Sequence, residues 1–315
     1  MKKYNVVFFG TPDFSVPSLE LLNNHPNINL VSVISMPDRK SGRGQKLQSP
    51  AVIEYSKTQK IPYFQTTNIN KEEEYLAELS NKDIDFFVVL AFAQFLGSKV
   101  LNLPKLGCFN IHTSLLPKYR GAAPIQYALL NGDSSTGVSI QRMVKKMDAG
   151  NVVKSSPIAI SSDETGGQLY TKLKFQAAIT LDSFIVDLID NNIVETEQNE
   201  DNVSFAPTLK KEDGHLVFEN SNYTDLHNRV RALKPWPGTF CFFNDKRLKI
   251  IEIEKYAINK LGPGELSLQE NMLLVGCKDA TVRLSSIQLE GKKQTSDKNF
   301  VNGLLNSSTK EFNLS

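Results

Sequence analysis

Four short apolar runs, separated by helix-patterned segments, restrict what the first half of this chain can fold into. They are YNVVFF (4–9), LVSVIS (30–35), DFFVVLAFA (85–93) and CFNIH (108–112). None alternates strictly between apolar and polar residues, as a strand with one wet face would. Near-continuous apolar strands alternating with helices predict an α/β fold: a parallel sheet covered on both faces. Between the runs, Ser15 is placed to cap a helix through PSLELL (17–22). SPAVIEYSKTQ (49–59) carries Ser then Pro at a helix start. In such sheets ligands bind beyond the carboxyl ends of the strands. Asn110 and His112 sit at one of those ends.

The pattern changes after a long helix expected over 163–189, whose start Gly166 and Gly167 delay. The stretch 190–205 holds five acids and no base and reads as a solvated linker. Beyond it, TFCFFN, RLKIIEIEKY, NMLLVGC and ATVRLSSIQLEG are short strand-like runs broken by Gly, Asn and Pro. They predict a small β-barrel or sandwich. The expected division is therefore 1–189, a linker at 190–205, and 206–315. The last part holds 16 Lys and Arg against 13 Asp and Glu, a slight positive excess.

Composition excludes several classes. The net charge of +2 over 315 residues rules out a global polybasic field. The three cysteines are odd in number and widely spaced, without a CxxC, so they suggest neither a disulfide frame nor a zinc site. They fit a reducing, cytoplasmic setting. The apolar run after the basic start is too short for a signal peptide. No stretch approaches the about 18 apolar residues of a membrane span.

Several motifs carry more than one reading. GTPDF after the first strand lacks GxGxxG, so Gly10 marks either a tight strand-to-helix turn or a ligand-contacting loop. Asp38 follows the second strand but has no glycine fingerprint to support ribose binding. The segment 36–50 contains Arg39, Lys40, Arg43 and Lys46 with two glycines. It is a solvated loop or an anion clamp, with Arg39, Arg43 and Lys46 meeting phosphates.

Residues two apart in a strand share a face, so Asn110 and His112 project together. Asn supplies an amide donor for an oxyanion, and His moves protons near neutral pH. Asp148, in a Gly-containing loop, is a partner for the imidazole or only a buried helix cap. Asn, His and Asp without a Ser or Cys nucleophile suggest direct transfer between two bound substrates. Arg120 and Gly121 shape the approach. The helix beginning near Ala123 has Pro124 early and Gly132 at its end.

Taken in order, FFGTPDFSVPSL, PDRKSGRGQKL, NIHTSLLPKYRGAAPIQ, MDAGNVV and KPWPGTF resemble the methionyl-tRNA formyltransferase family, over nearly the whole chain. The resemblance implies a Rossmann-like formyltransferase domain followed by an OB-like barrel that binds tRNA. It implies transfer of the formyl group of 10-formyltetrahydrofolate to the amino group of methionine on initiator methionyl-tRNA, with no metal. Asn110, His112 and Asp148 match the family's catalytic triad. Ser114, Leu115, Leu116 and Pro117 match its folate-binding turn, and Arg43 its tRNA-associated arginine. Ala93 and Gly97 depart from it, standing where the family often has glycine and proline. The expected partners are the tRNA and folate, with no membrane and a monomeric chain. Lys210, Lys211, Arg229, Arg231, Lys246, Arg247 and Lys249 are candidate phosphate contacts.

Three other readings compete. A sugar-nucleotide formyltransferase shares the NxH, SLLP and PWPG elements, but the basic loop argues against it. A formyl-tetrahydrofolate hydrolase would use water as acceptor. An RNA-binding module leaves the Asn110–His112 pair unexplained.

Overall fold

The computed structural model describes residues 3–41, 44–257, 260–305 and 314. Strands β1 (Tyr4–Gly10), β2 (Ile28–Ser35), β3 (Arg39–Ser41), β4 (Lys46–Gln48), β5 (Tyr63–Gln65), β6 (Phe86–Leu90), β7 (Cys108–His112), β8 (Arg120–Gly121), β9 (Ser135–Arg142), β10 (Val152–Ala159) and β11 (Phe205–Ala206) precede the C-terminal strands. Helices α1 (Val16–Asn24), α2 (Ala51–Gln59), α3 (Glu73–Ser80), α4 (Ser98–Leu101), α5 (Pro124–Leu130) and α6 (Gly166–Ile189) lie between them. By contact the chain forms two units. One comprises Met1–Pro124, Ser135–Ala159 and Tyr170–Ala206, the other Ile125–Ser134, Ile160–Leu169 and Pro207–Ser315.

The first unit is built on a seven-stranded sheet in the order β10-β9-β7-β6-β1-β2-β5. From β5 to β7 all neighbours are parallel, as the four apolar runs require. Antiparallel β9 and β10 then extend the β7 edge. All five residues of β6 are buried. One face packs Val7, Phe9, Phe87 and Val89 against Leu76 and Leu79 of α3. On the other face Phe86 and Phe109 meet Phe184 of α6 at ring-centroid distances of 6.3 and 4.7 Å. With both faces covered, no position of β6 can be polar.

Local chemistry differs from expectation at two helix starts. Ser15 makes no cap bond to α1; its Oγ donates to the Leu90 carbonyl at 2.8 Å and ties the β1 turn to β6. A Cβ on Gly10 would stand 2.7 Å from Phe8 Cε1 and 2.9 Å from Ser15 Cβ. Gly10 therefore serves this tight turn. At α2, Ser49 donates to Asp38 instead of capping.

The segment 190–205, expected as a solvated linker, runs along the first unit instead. Thr196 and Val152 exchange two 2.8 Å backbone hydrogen bonds. Glu195 accepts from Arg142 Nε at 2.7 Å, Gln198 is buried, and β11 pairs in parallel with β8. Two of the five acids that suggested solvation, Glu195 and Glu200, pair with Arg142, Arg120 and Lys146 from distant parts of the chain. That pairing is invisible in local composition.

The second unit contains α7 (Tyr223–Ala232), β12 (Thr239–Phe243), β13 (Lys246–Tyr256), β14 (Leu266–Ser267), β15 (Leu274–Gly276), β16 (Thr281–Leu289), β17 (Thr295–Ser296) and α8 (Asp297–Leu305). The sheet is antiparallel in the order β12-β13-β16-β15-β14, with β17 beside β16. Among the described residues no ladder joins β12 to β14, so the OB-like sheet curls as a half-open barrel. Its core includes Leu226, Val230, Leu248, Ile250, Val282 and Ile287. Arg231 is not a phosphate contact. It is buried, bonds Asn228 Oδ1 at 3.0 Å, and reaches the carbonyls of Ser161, Glu164 and Leu129 at 3.3–3.4 Å. It pins the two earlier segments that belong to this unit.

Candidate active site

Strand register assembles the site. Asn110 lies opposite Gln141, and His112 opposite Ser139. Directly opposed residues share a face, so these four side chains line one surface at the end of β7. The two β9 residues carry no sequence signal of their own, because β9 is an antiparallel neighbour found only through pairing.

Asp148 completes the group from the loop after β9. It sits in the left-handed region at φ 50°, and no helix starts there, so it is not a helix cap. Its Oδ2 accepts from the Gly121 amide at 2.9 Å. Its Oδ1 accepts from Gln141 Nε2 at 2.9 Å and, more weakly, from Asn110 Nδ2 at 3.4 Å. Gly121 has φ 120°, and a Cβ there would stand 2.7 Å from the Ala206 carbonyl oxygen. Only glycine brings this amide to the carboxylate.

The tautomer of His112 follows from its neighbour. Nε2 lies 2.8 Å from the Tyr119 carbonyl oxygen, which only accepts, so Nε2 carries the hydrogen. Nδ1 then faces Asp148 Oδ2 across 3.8 Å. His112 is 6% exposed, so this gap is sheltered from bulk water. Asn110 is only half-buried, and its second amide hydrogen has no partner among the described residues. It remains free to meet a developing oxyanion.

The turn Ser114–Pro117 is fixed by Ser139. The Ser139 hydroxyl donates to the Ser114 carbonyl at 2.8 Å and accepts from the Leu116 amide at 3.1 Å. Ser114 is buried and closes on the Lys118 carbonyl at 2.5 Å. Leu115, Leu116 and Pro117 remain half-buried at the edge of the site.

The basic segment is an antiparallel hairpin, with Arg39 opposite Gln48 and Ser41 opposite Lys46. Arg39 and Lys46 are exposed; Arg43 lies outside the described residues. Asp38 anchors the base of the hairpin. It accepts from Gln65 Nε2 at 2.7 Å and from Ser49 Oγ at 2.9 Å. Those bonds, Gln65 first, hold its carboxyl below the usual aspartate range. Ala91 and Ala93 adopt φ 51° and 65°, a conformation that favours glycine. Gly97 bonds Asn70 Oδ1 through its amide at 2.6 Å.

Two glutamines escaped the sequence reading. Gln141 holds Asp148, and Gln198 donates to the Asp148 carbonyl at 2.9 Å. Gln198 in turn is held by Arg120, which is 2% exposed.

Comparison with known proteins gives this arrangement its class. Residues 3–185 match the formyl transferase family model, and residues 208–305 match the model of the formyl transferase C-terminal domain. The chain is 37% identical over 307 residues to a methionyl-tRNA formyltransferase of Halothermothrix orenii, covering 95% of this chain and 96% of that protein. It is 38% identical over 303 residues to one of Natranaerobius thermophilus, covering 94% and 96%. The chain belongs to the methionyl-tRNA formyltransferase family. Among solved structures, WlaRD, a sugar 3N-formyl transferase, aligns with a TM-score of 0.65 at 20% identity, over 93% of this chain and all of that one. HypX from Aquifex aeolicus in complex with tetrahydrofolic acid aligns with a TM-score of 0.61 at 12% identity, over 99% of this chain and 50% of that one. At these identities the two structures share the fold alone. No helix among the described residues is long and apolar enough to cross a membrane.

Proposed function

We propose that this chain transfers the formyl group of 10-formyltetrahydrofolate to the amino group of methionine on initiator methionyl-tRNA, in the cytoplasm, and that Asn110, His112 and Asp148 carry the chemistry. The observation behind this reading is one surface at the end of β7. It offers an amide N–H without a partner among the described residues, an imidazole of defined tautomer and a sheltered carboxylate within 3.8 Å of it.

The amine nitrogen attacks the formyl carbon, and a tetrahedral oxyanion forms. Asn110 Nδ2–H donates to that oxygen. A donor already aimed where charge develops needs no reorganisation during the reaction. His112 and Asp148 take the proton released by the amine and return one to the folate nitrogen as its carbon–nitrogen bond breaks. The products are the formamide and tetrahydrofolate, and the proton count balances. The Ser114–Pro117 turn binds the folate, with Ser139 holding its shape.

Arg39 and Lys46 contact the tRNA from a hairpin that Asp38 anchors, and Arg43 is proposed to contact it as well. The second unit adds phosphate contacts through Lys246 and Lys249, which are exposed, on a sheet of a type that often presents a nucleic-acid surface. A single chain acting as a monomer is part of this proposal. Formyl transfer to charged initiator tRNA, measured beside an amino-sugar nucleotide and a reaction without acceptor, tests the reading.

A further inference from the structure

The segment after α6 reaches back to the loop that carries Asp148, and Gln198 is one of its points of contact. Arg120 Nε and Nη2 approach Gln198 Oε1 at 3.0 and 2.9 Å. A guanidinium only donates, so this side of the amide is the oxygen. The nitrogen is thereby turned to the other side. There Nε2 donates to the Asp148 carbonyl at 2.9 Å and to the Gly150 carbonyl at 2.7 Å. Both ends of the amide are fixed by partners of opposite chemistry, and both side chains are almost fully buried, at 2% for Arg120 and 7% for Gln198.

A second tie reinforces the first. Arg120 Nη2 also meets Glu200 Oε1 at 2.9 Å, and Glu200 Oε2 meets Lys146 Nζ at 2.9 Å. Lys146 lies two residues before Asp148. The segment 198–200 thus grips the loop on each side of the carboxylate. Asp148 needs such support because its backbone is left-handed at φ 50°, a conformation that costs a non-glycine residue free energy and persists only where neighbours impose it.

We infer that Gln198, oriented by Arg120, is a positioning residue for the formyl transfer: it holds the backbone of Asp148 so that the carboxylate stays aimed at His112. This inference rests on the formyl-transfer reading above. Gln198 is buried and bonded to protein groups at both ends of its amide, so its loss is expected to act on turnover rather than on binding.

Gln198→Glu separates this role from a general structural one. Glutamate keeps two oxygens for Arg120, so the buried arginine stays paired. It lacks the N–H, and it sets an oxygen against the carbonyls of Asp148 and Gly150. Steady-state transfer with the full chain should show kcat reduced at least tenfold, with KM for 10-formyltetrahydrofolate and for charged tRNA within twofold of wild type. Gln198→Asn keeps the amide on a shorter arm and should lose less. Introducing Gln198→Glu into an Asp148→Asn background should lower single-turnover rates no further, because both changes remove the same function. Multiplicative losses in the double variant, an unchanged kcat, or a loss seen only in KM would each overturn the inference. Should Gln198→Glu fail to fold, the Gln198→Asn variant decides by the same kcat and double-variant criteria. Wild-type protein without transfer to charged tRNA would overturn the functional reading and this inference with it. Active wild type with an unaffected Gln198→Glu would overturn the inference alone.

Discussion

His112 Nδ1 stands 3.8 Å from Asp148 Oδ2, while Nε2 on the far side of the ring is bound at 2.8 Å to the Tyr119 carbonyl. With the hydrogen on Nε2, Nδ1 and the carboxylate oxygen are two acceptors facing each other. Such a pair is complete only when a proton lies between them, and it can take that proton up or give it away. This is the property a formyl transfer asks of a general acid and base.

Removing either β7 side chain is expected to impair chemistry while the fold survives. Loss of one oxyanion donor typically costs about 3 kcal/mol, a hundredfold or more in rate. Asn110→Ala and His112→Ala should each lower kcat on that scale, with thermal midpoints near wild type. Asp148→Asn should also be impaired, because an amide cannot accept the proton. Near-normal turnover in any of the three would remove that residue from the mechanism.

Gly121 is expected to tolerate no side chain. Its φ of 120° and the 2.7 Å approach of a Cβ to the Ala206 oxygen predict a cost of about 1–3 kcal/mol for Gly121→Ala. Its amide also bonds Asp148, so activity should fall together with stability. Denaturant unfolding and kcat measured on one preparation check both. A fully stable, fully active variant would contradict the geometry.

These positions differ in how far the chain announces them. The parallel order, the strand CFNIH and the shared face of Asn110 and His112 follow from apolar runs and two-residue spacing, both local. Gln141 and Ser139 depend on the pairing of β7 with β9, which no local pattern encodes. Gln198 and Glu200 lie in an acidic stretch that reads as solvated, and their partners Arg120 and Lys146 are 78 and 54 residues away. The unit division was illegible for the same reason. Residues 125–134 and 160–169 join the second unit through contacts such as those of Arg231, so a cut at residue 205 would strand both segments.

Acid stability carries the signature of Glu200. Hydrogen bonds from Arg120 and then Lys146 hold its carboxyl down to about 2, from an ordinary 4.5. A carboxyl depressed in the folded state contributes stability that is present above 4.5 and is lost as pH falls toward 2. Glu200 is exposed, so the effect is small. The stability difference between wild type and Glu200→Gln should shrink as pH is lowered through this window. A difference that grows toward pH 2 would contradict the assignment.

The hairpin and the second unit are expected to act on tRNA alone. Arg39→Ala, Arg43→Ala and Lys46→Ala should weaken tRNA use while folate binding barely changes. Each lost phosphate contact should also lower the slope of log affinity against log salt by about one. Lys246→Ala and Lys249→Ala should behave likewise. Equal losses for folate and tRNA would place those residues in the scaffold.

The most direct measurement is a three-way acceptor assay. Purified full-length protein is given 10-formyltetrahydrofolate with charged initiator tRNA, with an amino-sugar nucleotide, or with water alone, and the formylated product is quantified. Formylmethionyl-tRNA should accumulate in the first reaction, stoichiometric with tetrahydrofolate, and should fall at least a hundredfold with His112→Ala. Formyl transfer to the amino sugar, or tetrahydrofolate release at the same rate without an acceptor, would contradict the proposed function.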